Sequence, residues 1–129
     1  MPRRIGAPTT RVLVVDDDEL TRTLLEEVLE LGGYAVRTAA SGADGLALLR
    51  AWRPDAVVLD VMMPGVDARV FRAVQFDSRE VADVPVLLLS ATRPEDLRAV
   101  AQDLDVTAWL PKPFDVDGLV AAVASLTAA

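Results

Sequence analysis

The 129-residue chain contains no cysteine and no histidine. The first absence excludes disulfides and thiolate metal sites and fits a reducing, cytoplasmic setting. The second excludes imidazole zinc ligands and imidazole acid–base catalysis. Long apolar runs are missing too. None approaches the roughly 20 residues that a membrane-spanning helix needs, so no membrane partner is expected. The amino-terminal MPRRIGAPTT carries two arginines but no following apolar segment, unlike a signal peptide. Residues 1–10 read as a short tail.

Positive charge is scarce. Thirteen Lys and Arg against twenty Asp and Glu leave a formal net charge of −7. Phosphate backbones are bound mainly through clustered Lys and Arg, and no arginine-rich helix or aromatic-basic face is visible. No nucleic acid partner is expected. Apolar residues are plentiful, at 52% with 26% charged, which suits one ordinary globular domain with a buried core.

Short branched runs read as strands at residues 11–15, 34–38, 55–59, 84–89 and 107–110. Their nearly unbroken hydrophobicity fits a parallel sheet covered by helices on both faces. Between the runs lie helical patterns. Leu20, Leu24, Val28 and Leu31 keep helical spacing before Gly32-Gly33. Ser41 with Asp44 resembles a capping box for a helix carrying Leu46 and Leu49. Residues 68–79 give a third helix. Pro94 suits the first turn of a fourth, with Leu97, Val100, Ala101 and Leu104 behind it. Asp115 can cap a fifth in which Val116, Leu119, Val120, Val123 and Leu126 share a face. Five strands alternating with five helices predict a doubly wound, flavodoxin-like α/β domain over residues 11–129, with strand order 2-1-3-4-5. The pattern leaves no length for a second domain.

Three of the runs stop on an oxygen-bearing side chain. VLVV ends on Asp16-Asp17-Asp18, AVVL on Asp60 and VLLL on Ser90; AWL is followed after Pro111 by Lys112. A parallel sheet collects its ligand chemistry at the carboxyl ends of its strands. Asp16, Asp17 and Asp60 then sit on neighbouring central strands, where like carboxylates repel unless protonated, paired or metal-bound. Oxygen ligands suit Mg²⁺, which commonly takes one or two carboxylates, waters and a phosphate. Aspartate carboxylates accept phosphoryl groups covalently in enzymes, and Lys112 and the Ser90 hydroxyl can hold phosphoryl oxygens. Each residue alone has a plainer reading: a turn former or helix cap, a backbone-bonded hydroxyl, a solvated surface charge. Their joint placement on consecutive strand ends argues for a site.

VLVVDDDE, VVLDVMMPGVD, LLLSA and LPKPF, in that order and spacing, resemble a response-regulator receiver domain of two-component signalling, from about Arg11 to Leu126. By this resemblance Asp60 corresponds to the phosphoacceptor. Asp16 and Asp17 correspond to the acidic pair serving Mg²⁺, Asp17 directly and Asp16 through water, with the Met62 backbone carbonyl as a further ligand. Ser90 corresponds to the hydroxyl that follows the phosphoryl group and Lys112 to the family's lysine. Pro113 corresponds to a proline usually preceded by a cis peptide, which aims that lysine inward. The implied partner is a histidine kinase, a histidine phosphotransfer protein or a small donor such as acetyl phosphate, with helix 1 as the docking face. The implied output is a downstream protein target bound through helix 4, strand 5 and helix 5, with pairing of two copies on phosphorylation. Such a chain is not an enzyme beyond catalysing its own phosphorylation and dephosphorylation. It reads as a stand-alone module or as a fragment of a longer regulator.

Three positions depart from the family pattern. Trp109 stands where the switch residue is usually Tyr or Phe, and suits a switch or a hydrophobic anchor equally. Ala68 replaces a typical Gly at the start of helix 3, and Asp105-Val106-Thr107-Ala108 replaces a frequent Gly-Ala pair. Trp52, before Arg53-Pro54, reads as a partly buried packing residue and Met63 as loop packing. Met62 and Thr92 would flank the phosphoryl group; neither activates water well, so slow hydrolysis of the acyl phosphate is expected. Two other readings remain: a receiver-like interaction domain that is never phosphorylated, and a metal-dependent phosphatase built on Asp16-x-Asp18, for which a cap domain is lacking.

Overall fold

Each of the five apolar runs becomes a strand because helices cover both of its faces. The computed structural model describes residues 9–63, 65–91, 93–106 and 108–128. The tail as far as residue 8, and Pro64, Thr92 and Thr107, lie outside the described residues. The chain alternates β1 (Arg11–Val15), α1 (Glu19–Leu31), β2 (Ala35–Ala39), α2 (Gly42–Trp52) and β3 (Ala56–Asp60). It continues with α3 (Ala68–Asp77), β4 (Val86–Ser90), α4 (Pro94–Asp103), β5 (Ala108–Pro111) and α5 (Val116–Thr127). The sheet is parallel throughout, in the expected order β2-β1-β3-β4-β5.

Alternate residues of each strand feed two cores. Leu13, Val15, Val57, Leu59 and Leu88 meet Leu49 of α2, Phe71 of α3 and Leu97 of α4. Val12, Val14, Val58, Leu87 and Leu89 meet Leu25 and Leu29 of α1 and Leu119 and Val123 of α5. Burial on both sides explains why the strands lack the apolar–polar alternation of a half-exposed sheet.

Four strands, β2 to β5, end one residue later than expected, and two of these shifts bear on the site. β3 extends to Asp60 and β4 to Ser90, since Asp60 is held in register with Leu89 and Ser90 with Pro111. The Val61 amide adds a bond to the Leu89 carbonyl at 2.9 Å. A neighbouring ladder thus overrides the turn preference of these polar residues.

Helix α1 needs a larger correction. The Leu20, Leu24, Val28, Leu31 stripe is not the core face: Leu20 is 81% exposed, Leu24 44% and Leu31 90%, whereas Leu25 and Leu29 are fully buried. Adjacent leucines give the helix two stripes of equal spacing, and the sheet takes the one carrying Leu25, half-buried Val28 and Leu29. The helix ends as Gly32-Gly33 predicts. Gly33 is left-handed (φ 97°), its amide donates to Glu30 O and the Tyr34 amide to Leu29 O, which is a Schellman motif. At α5, Asp115 occupies the N-cap but its side chain makes no capping bond; its carbonyl accepts from the Leu119 amide at 2.9 Å. Val116, expected to share a face with Leu119 and Val123, is 44% exposed while those two are fully buried.

Candidate functional site

The β1–α1 turn sorts three consecutive aspartates into different environments. Asp18 caps α1, accepting from the Thr21 amide at 3.0 Å and the Thr21 hydroxyl at 2.5 Å. These bonds hold its carboxyl below the usual range. Asp17 points to solvent. Asp16 is buried, 1% exposed, with its Oδ1 accepting from the Asp18 amide at 2.9 Å. The Arg22 guanidinium bonds the Asp16 backbone carbonyl at 2.8 Å and so fixes the turn against α1.

Strand β3, next to β1, brings Asp60 to the same rim. Asp60 is 5% exposed and its Oδ1 accepts from the Met62 amide at 3.3 Å. One carboxylate oxygen from each of Asp16, Asp17 and Asp60 lies within 4.8 Å of the others, and among the described residues no other three acids converge in this way. Lys112 reaches into the cluster from the end of β5. Its Nζ donates to Asp16 Oδ2 at 2.8 Å and stands 3.6 Å from Asp60 Oδ2. The Lys112 amide donates to the Ser90 carbonyl at 2.7 Å, which fixes the backbone from which the side chain reaches in. The Lys112–Pro113 peptide is cis, as expected. Ser90, fully buried at the end of β4, completes the rim.

The charges respond to this packing. Burial pushes the Asp60 carboxyl up to about 6; Lys112 opposes the rise, Asp16 adds to it, the Met62 amide opposes it and Asp17 adds a little more. Burial by itself lowers the Lys112 ammonium, but its bond to Asp16 and the charges of Asp60 and Asp16 outweigh that and raise it. All donors are carboxylate oxygens, with no imidazole or thiolate, so the cluster suits a hard, oxygen-seeking divalent cation.

The other singled-out residues fall in three groups. Met62 is exposed beside Asp60, whereas Met63 is buried in the loop core as expected. Trp109 is half-buried, paired in register with Leu88 and packed on the α2–α4 side core. Trp52 is half-buried as expected, and the guanidiniums of Arg11 and Arg37 lie 5.6 and 5.4 Å from its ring centroid, a contact with no local sequence signal. Also unforeseen is a groove of about 430 Å³ beside the site, lined by Thr21, Leu24, Ala91, Lys112, Pro113 and Phe114. Leu24, the one leucine of the α1 stripe that lines it, was its apolar signal in the sequence.

A five-stranded doubly wound sheet with three acids on the rim of its central strands, and a lysine reaching in from its edge strand, is the architecture of a signalling receiver domain. The response regulator receiver domain model matches residues 12–124, and the chain belongs to that family as the receiver domain of a two-component response regulator. Response regulator MprA of Mycolicibacterium vanbaalenii is 40% identical over 117 residues, 90% of this chain and 49% of that protein. The chain thus spans about half the length of the curated relatives it matches. Among solved structures, Vibrio cholerae chemotaxis protein CheY4 superposes with a TM-score of 0.85 at 28% identity, covering 92% of this chain and 99% of that one. The receiver domain of Francisella response regulator 1452 gives 0.84 at 27% identity, covering 92% and 97%.

Proposed function

We propose that the domain, read over residues 11–129, is a phosphoacceptor module that takes a phosphoryl group onto Asp60 from a partner histidine kinase, a histidine phosphotransfer protein or a small acyl phosphate. The observation that carries this reading is the placement of Lys112 Nζ, bonded to Asp16 and 3.6 Å from Asp60, within a cluster of three carboxylates. An ionised Asp60 oxygen attacks phosphorus as the bond to the donor's nitrogen or acyl oxygen breaks, and the leaving group keeps the electron pair. Lys112 offsets charge on the phosphoryl oxygens, and the Ser90 hydroxyl at the adjacent strand end accepts the role of second donor. Asp16, Asp17, Asp60 and the Met62 carbonyl would hold Mg²⁺, whose positive charge lets a carboxylate and a phosphoryl dianion approach.

Docking of the donor protein is supported by exposed Leu20 and Leu24 on α1 and by the groove that runs from Leu24 to Phe114. Output would pass to a protein target, or to a second copy, through α4, β5 and α5, where Trp109 lies half-buried. A cytoplasmic setting accompanies this reading; no helix among the described residues is long and apolar enough to cross a membrane. The phosphatase alternative loses its second acid, since Asp18 is committed to capping α1.

Incubation with acetyl phosphate and Mg²⁺, followed by mass spectrometry, tests the assignment. One phosphoryl group should map to Asp60, and Asp60→Asn should gain none while keeping its fold. Wild-type protein that stays unmodified, or a phosphoryl group mapped to another residue, overturns it.

A further inference from the structure

Helix α4 ends in a Schellman motif whose left-handed position is not glycine. The Asp105 amide donates to Gln102 O at 3.1 Å and the Val106 amide to Ala101 O at 2.9 Å, with Asp105 at φ 54°. The same motif closes α1, where Gly33 takes the left-handed position. A residue with a Cβ is strained in that conformation, and glycine is not. Aspartate tolerates the position better than most residues, and contacts from outside the helix can offset the remaining cost.

Arg72, on α3, does so from beneath. Only 8% exposed, it donates from Nε to the Leu104 carbonyl at 3.0 Å and from one terminal nitrogen to the Asp105 carbonyl at 3.0 Å. Its other terminal nitrogen bonds Gln75 Oε1 at 2.7 Å, and Gln75, fully buried, donates to the carbonyls of Val81 and Val84. Phe76 lies over the guanidinium, 4.2 Å from ring centroid to carbon. A cation at this place also faces the negative end of the α4 dipole.

We infer that Arg72 clamps the carboxyl end of α4 to α3, substituting for the missing glycine. The clamp is a property of the unmodified chain and stands whether or not Asp60 is phosphorylated.

Amide hydrogen exchange by NMR on the whole, unmodified chain tests this, with Asp105 and Val106 as reporters and Gly33 and Tyr34 as matched controls from α1. Arg72→Met should speed exchange at Asp105 and Val106 by about tenfold or more, with Gly33, Tyr34 and Leu97 unchanged. Adding Asp105→Gly should slow it again, because glycine holds the left-handed position unaided. Should Arg72→Met not fold, Arg72→Lys keeps the charge, loses the planar fork and should show the same local acceleration. An equal rise at reporters and controls, no rise at the reporters, or no recovery with Asp105→Gly overturns the inference.

Discussion

Asp60 must be ionised to act as a nucleophile, yet its surroundings favour the proton. Burial is the largest cause, and its carboxyl sits at about 6 rather than the ordinary 3.8. The folded chain therefore binds this proton more tightly than the unfolded one. Stability from this group is fully present below the unfolded value and is lost as pH rises through about 6. Asp60→Asn removes the ionisation while keeping the shape. In metal-free buffer the variant should gain on the wild type as pH rises from about 5 to about 7, by on the order of 1 kcal/mol once solvent screening is allowed for. Thermal melts of the pair across that window check it; a pH-independent difference refutes the assignment. The acid at position 60 was legible as the residue ending a buried run. The division of labour among Asp16, Asp17 and Asp18 came only from family resemblance, and for Asp18 not at all, because three adjacent carboxylates differ only in where the turn points them.

At the level of elements, the strands and the buried face of α4 were legible, and the face of α1 was not. An apolar run buried on both sides has one interpretation, and only its ends were misplaced, by one or two residues. Helix α1 holds Leu24 next to Leu25 and Val28 next to Leu29, so two rotations satisfy the same periodicity, and only packing against β1 and α5 selects one. Close approach is equally invisible in sequence. A Cβ built on Gly42 would fall 2.1 Å from the Val66 carbonyl oxygen, in the loop that leads from Asp60 to α3. Alanine favours a helix over glycine by about 1 kcal/mol, but a backbone clash that tight should outweigh it, since overpacking costs about 1–3 kcal/mol. Gly42→Ala should lower the melting temperature and shift the amide resonances of Met62 and Met63. A more stable variant with an unmoved loop would show that α2 can retreat instead.

For the molecule as a whole, strand order decides the chemistry. Placing β1 directly beside β3 brings Asp16 and Asp17 to Asp60, although more than forty positions separate them in the chain. That adjacency was foreseeable because alternating strands and helices with right-handed crossovers leave few topologies. What could not be read was the depth of each acid, which packing alone sets. The consequence is a chain of net charge −7 that concentrates three carboxylates on one rim against a single ammonium. Repulsion there opposes folding, and a divalent cation bound only by the native state should relieve it by mass action, by about 2.7 kcal/mol at a hundred times its Kd. For a domain of this size that is on the order of 10 °C in Tm. Calorimetry in millimolar Mg²⁺ should show a rise of several degrees, and NaCl of equal ionic strength should reproduce little of it, because screening acts weakly on buried charges. Asp17→Asn offers the sharper control: the residue is exposed, so the fold should survive while the Mg²⁺-dependent rise disappears. A rise that persists in Asp17→Asn, or that NaCl matches, would mean the cation acts on general surface charge and not at this rim.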